Sequence, residues 1–196
     1  MIQQAMEGTA RERLVLAARA LFACKGFHSS AMAELAASAR VSVGQVYRLF
    51  ENKDDVIAAI VQEESAVRRQ ELVALCERLE AGEILVTAAF EELARHALTG
   101  KEEGLTFEIL AEAHRNPRVA ATIGGLCDGF RDVIRRLARA AHPEFGAAQL
   151  DASEEFLLAC MFGLGNRAFS CPKLPVDEAA VQAGRMMMGA LDALGR

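Results

Sequence analysis

Residues 41–53 read VSVGQVYRLFENK and gather a hydroxyl at Ser42, a glycine at Gly44, an amide at Gln45, a phenol at Tyr47 and cations at Arg48 and Lys53. Nothing in that set pairs a nucleophile with a base, and nothing in it has metal-ligand spacing. Its chemistry is hydrogen bonding and charge. An amide can read a base edge, a phenol or a cation can reach a phosphate, and a glycine lets a backbone come close. Ser30, Arg40 and Val43 flank or complete the group. Each polar side chain also has a structural use. Ser42 and Gln45 fit S-x-x-Q, a capping box in which the glutamine returns to the cap's amide. Tyr47, the chain's single tyrosine, can pack half-buried, and Lys53 can be a solvated charge. Both uses stand for each residue at this point.

Such groups need elements to aim them. Apolar residues recur at helical spacing almost throughout and strand signals are nearly absent, so the chain reads as all-α. A first helix spans about Thr9 to Lys25, with Leu14, Ala17, Ala18, Leu21 and Phe22 on one face and Gly26 as its stop. Ser30 is expected to cap a second helix whose Met32, Leu35 and Ala36 face inward. Ser42 opens a third, with Val46, Leu49 and Phe50 inward. Asn52 opens a fourth that runs to about Glu80, with Asp54 and Asp55 at its positive end. Five more are expected over about 83–99, 101–114, 117–141, 151–170 and 177–194, for about nine helices in all. Gly100, Asn116-Pro117, residues 142–146 and Pro172 to Pro175 punctuate them.

Three short helices with a tight turn between the second and third make a helix-turn-helix arrangement, whose third helix can enter a DNA major groove. This gives two expected domains: a DNA-binding domain over residues 1–53 and a larger helical domain over 54–196.

The elements Gly26-Phe27, Ser30, Leu35-Ala36, Val41-Ser42, Gly44, Val46-Tyr47, Phe50 and Lys53 stand in the order and spacing of a known family. With the Ala-rich pattern from Leu14 to Phe22, they resemble the TetR family of bacterial transcriptional repressors. On a helix that enters the groove, Gln45 can read a base edge, Tyr47 can reach a phosphate, Arg48 can supply charge and Lys53 can add a phosphate contact, while the resemblance implies that the C-terminal helices form a dimer and enclose a small-molecule pocket. Two positions depart from the family pattern. The family commonly has glycine where Arg40 stands, at the left-handed exit of the second helix, so a turn of the same kind would cost Arg40 about 1 kcal/mol. It often has histidine or tyrosine where Leu49 stands, which implies one phosphate contact fewer.

Composition narrows the alternatives. The 196 residues carry a net charge of −5, but those up to Asp55 are balanced at +1 and the remainder at −6, so a polyanion would meet the N-terminal end first. Cys24, Cys76, Cys127, Cys160 and Cys171 stand singly, without the pairs of a zinc site or a disulfide framework. No apolar run is long enough for a bilayer span, and Glu7 and Arg11 to Arg13 interrupt any leader-like segment. The chain is therefore expected to be cytoplasmic, with no membrane partner, metal or cofactor, and not an enzyme.

For an effector pocket, bulky apolar residues with isolated polar ones on the middle helices are the candidates: Phe90, Phe107, Leu110, His114, Cys127, Phe130, Arg131, Met161 and Asn166. Arg131 is the one basic residue expected there, which favours an apolar or amphipathic effector. His114 can equally serve as a cation at its helix's C-terminus. For a dimer interface, small residues among apolar ones on the last two helices give Phe156, Cys160, Gly163, Leu164, Gly184, Met187, Met188 and Leu191, although a monomer core would use the same residues. The expected protein is a homodimeric repressor that binds a palindromic operator of double-stranded DNA and is released by a small molecule. A regulator responding to oxidation through a cysteine, or a helical interaction module that does not bind DNA, are the alternatives.

Overall fold

The computed structural model describes residues 8–99 and 103–195. These residues form nine α-helices and no strand: α1 (Ala10–Lys25), α2 (Met32–Ser38), α3 (Val43–Leu49), α4 (Lys53–Glu80), α5 (Val86–Leu98), α6 (Glu103–Arg115), α7 (Pro117–Ala141), α8 (Ala147–Gly165) and α9 (Val176–Leu194), with a 3-10 turn at Arg167–Ser170 after α8. Glu7, Gly100 and Lys101, used above as sequence signals, lie outside the described residues.

The helix starts follow local capping chemistry. Thr9 and Glu12 close a reciprocal box at the head of α1, where Thr9 N donates to Glu12 Oε2 over 2.7 Å and Glu12 N to Thr9 Oγ1 over 3.3 Å. Asn52 and Asp55 do the same for α4. Ser30 does not cap α2. Ala31 holds the cap position, and the Ser30 hydroxyl, buried, donates 2.8 Å to the Gly26 carbonyl. At α8 the expected start was four residues late. Gln149 reaches back 3.0 Å to Gly146 N, which caps a helix beginning at Ala147. The same helix ends at Gly165, where the Asn166 amide takes the Phe162 carbonyl over 2.7 Å.

The described residues pack as two compact units. One comprises those of Met1–Ser65 and Glu102–Leu126, the other those of Ala66–Lys101 and Cys127–Arg196. In the first, Leu14, Ala18 and Phe22 of α1 meet Leu35 and Ala36 of α2, Val46 of α3, Ile57 and Ile60 of α4, and Leu105 and Ile109 of α6. The unit therefore extends past residue 53, because three short helices offer too little apolar surface to close a core and α4, α6 and Val119 of α7 complete it. Leu49, expected inward, is exposed; its neighbours Val46 and Phe50 are the buried pair.

In the second unit α5 packs closely on α9 and also meets α8. Gly184 makes the first approach possible, since a Cβ there would lie 2.7 Å from Glu91 N and 2.9 Å from the Phe90 carbonyl carbon. Phe90, Leu93, Ile134, Leu137, Leu157, Met187 and Leu191 are among the residues that fill this core. Arg136 pairs with Glu80 through two bonds of 2.9 and 2.8 Å, fastening α7 to the end of α4.

Candidate nucleic-acid interface

A helix of seven residues is not stable alone, so α3 is held by what surrounds it. Ser42 starts it, with Oγ accepting from Gln45 N over 3.2 Å. The turn before it is tightly bonded. Arg40 sits at φ +54°, Arg40 N donates to Ala37 O, and Val41 N donates to Ala36 O over 3.0 Å, a left-handed helix exit usually made by glycine. Arg13 of α1 adds its Nε to the Ala39 carbonyl at 3.3 Å, so the turn is tied to the first helix as well. Val46 is fully buried beneath the helix.

The opposite face of α3 is open. Val43, Gly44, Tyr47 and Arg48 are exposed, Tyr47 by 54%. A Cβ on Gly44 would touch nothing within 4 Å, so no packing within the chain requires a glycine there. The capping box expected of Ser42 and Gln45 is only half made. Gln45 donates its backbone N–H to Ser42, but among the described residues its side-chain amide has no hydrogen-bond partner. That observation separates the two readings of Gln45: the amide is not used in capping, and it stands beside an exposed helix face.

Two residues of the expected DNA-contacting set are used by the chain itself. Ser30 is buried on Gly26, as above. Lys53 Nζ donates to three carbonyls of the α1–α2 turn, Phe27 O at 2.7 Å, Ser30 O at 2.9 Å and His28 O at 3.3 Å, and lies 4.6 Å from the Phe27 ring centre. An ammonium has three donors, so this set uses them all. Burial pushes its pKa below the ordinary value, against which the charge of Glu112 acts.

Sequence reasoning missed the other side of that turn. Glu108 Oε2 accepts from Phe27 N at 2.8 Å, and its carboxylate would sit 3.3 Å from a Cβ on Gly26, which is held at φ +81°. Glu112, buried, lies 3.0 Å from His28 Nε2, and the Asn116 amide donates 2.7 Å to Asp54. The signal was present in the sequence: Glu108, Glu112 and Asn116 recur at i, i+4 and i+8, one polar line along α6 and its exit.

Residues 14–60, from α1 into α4, match the family described as bacterial regulatory proteins, tetR family. Over these residues the chain is similar to the TetR family. A relative, the HTH-type transcriptional regulator UidR of Escherichia coli K12, is 33% identical over 117 residues, which is 58% of this chain and 56% of UidR; the match spans little more than half the length of that relative. Two solved structures share the fold. GusR of Salmonella enterica has a TM-score of 0.71 at 23% identity, covering 93% of this chain and 95% of its own. The transcriptional regulator FadR of Bacillus subtilis, solved with stearoyl-CoA, has a TM-score of 0.71 at 14% identity, covering 90% and 96%.

The chain does not gather the nine expected pocket residues in one unit. Phe107, Leu110 and His114 belong to the first unit; Phe90, Cys127, Phe130, Arg131, Met161 and Asn166 belong to the second. Among the latter, Phe90 is fully buried and packs in one apolar cluster with half-buried Phe130 and Met161. Cys127 is exposed, and Asn166 is occupied in ending α8. Arg131 is paired with Glu155 at 2.8 Å and Glu154 at 3.7 Å, so its charge is already balanced on α8. Nor is it the only basic residue beside that part of α7, since Arg69 Nε lies 3.3 Å from Gly129 O.

The expected interface residues also divide. Gly184, Met187 and Leu191 are buried in their own chain's core, where α9 meets α5, which corrects their assignment to a partner surface. Cys160, Leu164 and Met188 are half-buried against the same core. Phe156 and Gly163 are exposed, and with Ala152 and Ala159 they form a stripe at i, i+4, i+7 and i+11 of α8. On α9 the exposed apolar residues include Met186, Gly189 and Ala193, with Met186 exposed by 68%, and Val176 and Leu194 at the helix ends. Burial keeps the Cys160 thiol above its ordinary pKa and pushes Cys76 up to about 11, so neither is a ready thiolate.

Proposed function

We propose that this protein is a cytoplasmic, homodimeric transcriptional repressor that binds a near-palindromic DNA operator and is released from it by an apolar or amphipathic small molecule. The observation that carries the reading is the outer face of α3. A short helix anchored by Val46 presents exposed Gly44, Tyr47 and Arg48 beside an amide at Gln45 that no group among the described residues takes up. In this reading Gln45 reads a base edge, Val43 touches an apolar base edge such as a thymine methyl, Tyr47 and Arg48 bond phosphates, and Gly44 admits the DNA backbone. Ser42 caps the helix that does so, and Arg40 supplies charge at its approach.

Two reading helices require two chains. The exposed stripes on α8 and α9 are the surface we assign to the second copy, because they are uncharged over the turns from Phe156 to Gly163 and carry small residues that permit close helix approach. The cluster of Phe90, Phe130 and Met161 supports an effector with an apolar body, and the acyl-CoA seen in FadR is a ligand of that kind. Helix α4 has residues in both units, so an effector that changes its position can act on α3. A coupling of about 1–3 kcal/mol would alter operator affinity about 5- to 150-fold.

The test is selection from a pool of random duplexes at near-physiological salt, with the protein as isolated and after unfolding, dialysis and refolding to strip any bound molecule. Enrichment of two related half-sites about one helical turn apart is the expected result. Uniform recovery from both preparations would remove the reading and leave a helical module that does not bind DNA.

A further inference from the structure

The α1–α2 turn is held from two sides by opposite charges. Its carbonyls at Phe27, His28 and Ser30 converge on Lys53 at the head of α4, and its amide at Phe27 is taken by Glu108 of α6. Gly26, with φ +81° and no side chain, is what lets the Glu108 carboxylate approach. This turn leads directly into α2, and α2 carries the turn that aims α3. A group that fixes it fixes the direction of the reading helix.

We infer that Lys53 and Glu108 are positioning residues for DNA recognition, acting through the α1–α2 turn, and that Lys53 does not contact a phosphate. The inference rests on the repressor reading above. All three donors of Lys53 are engaged within the chain, so a phosphate could be bound only by breaking bonds that hold the turn. Glu108 carries the charge that DNA repels, yet on this account its loss weakens binding, because the turn loosens.

The full-length protein and the duplex recovered by selection supply the test; without an enriched duplex the parent reading fails first, and the two failures are told apart. Affinity is measured across a series of salt concentrations for the wild type, Lys53→Met, Lys53→Arg, Glu108→Ala and Glu108→Gln. Lys53→Met and Glu108→Ala are both expected to weaken binding about ten-fold or more, with the slope of log affinity against log salt unchanged. Lys53→Arg is expected not to restore affinity, since a planar guanidinium does not fit three converging carbonyls, whereas Glu108→Gln, which keeps an acceptor, should recover part of it. The inference is overturned if Lys53→Met flattens the slope by about 0.9 and Lys53→Arg restores it, the pattern of one lost phosphate contact. It is equally overturned if Glu108→Ala tightens binding. Where a variant fails to fold, the wild type labelled with nitrogen-15 answers: the Lys53 ammonium signal should be slow to exchange and unmoved by duplex. A shift with coupling to phosphorus would refute the assignment.

Discussion

At the scale of single residues, the polar types from Ser42 to Arg48 and the helical period mark the face of α3 that the structure leaves exposed at Gly44, Tyr47 and Arg48. What the residue types could not decide was whether each group is spent inside the chain. Gln45 and Lys53 resolve in opposite directions. Among the described residues the glutamine's amide is unclaimed, and the lysine's ammonium is fully engaged across more than twenty residues of sequence, a partnership no local pattern announces. Replacing Gln45 by alanine should therefore leave the melting temperature nearly unchanged, as thermal unfolding followed by circular dichroism would show. Arg40 gives a stability prediction of its own. Its φ of +54° costs an L-residue about 1 kcal/mol that glycine avoids, so Arg40→Gly should raise stability by about 0.5–1 kcal/mol in urea unfolding. A fall instead would mean that the arginine side chain contributes more than its backbone costs.

At the scale of elements, helix identity came through wherever a strong cap or breaker stood in the sequence. Helix α7 spans Pro117–Ala141, as its bounding proline and apolar period indicate, and α4 runs to Glu80. The start of α8 is hidden from a sequence pattern because glycine at a cap has no side chain to advertise itself and the signal lies three residues on, in Gln149. Gly184 was read as an interface residue because small residues serve tight packing within a chain and between chains alike. Its position against the α5 backbone predicts that Gly184→Ala costs about 1–3 kcal/mol in unfolding free energy, whereas Gly163→Ala, with open space around it, should cost the fold nothing beyond its effect on assembly. The α4–α7 fastening has a pH signature. The Arg136 guanidinium holds the Glu80 carboxyl below its ordinary value near 4.5. A depressed carboxyl stabilises the fold above its unfolded pKa and loses that contribution as pH falls through the folded value. Glu80→Gln should accordingly lower the urea midpoint at pH 7 and differ little from the wild type at pH 3, with the sign of the difference set by that direction alone.

At the scale of the whole molecule, two compact units share α4 and α7, and the exposed apolar stripes on α8 and α9 lie on helices of the second. Helical periodicity indicates the number and kind of helices but not this division, since residues that complete the first unit's core come from α6, far along the chain from α1. If the stripes bind a second copy, Phe156→Glu with Met186→Glu should yield a folded monomer by sedimentation, with helicity retained and operator affinity lost. The central claim, that the outer face of α3 reads DNA sequence, is tested most directly by running duplex selection in parallel with the wild type and Gln45→Ala and comparing the base preferences position by position. A near-palindrome is expected for the wild type and, for Gln45→Ala, the same site with preference lost at one symmetric position in each half. Identical preferences in the two proteins, or no enrichment by either, would contradict it.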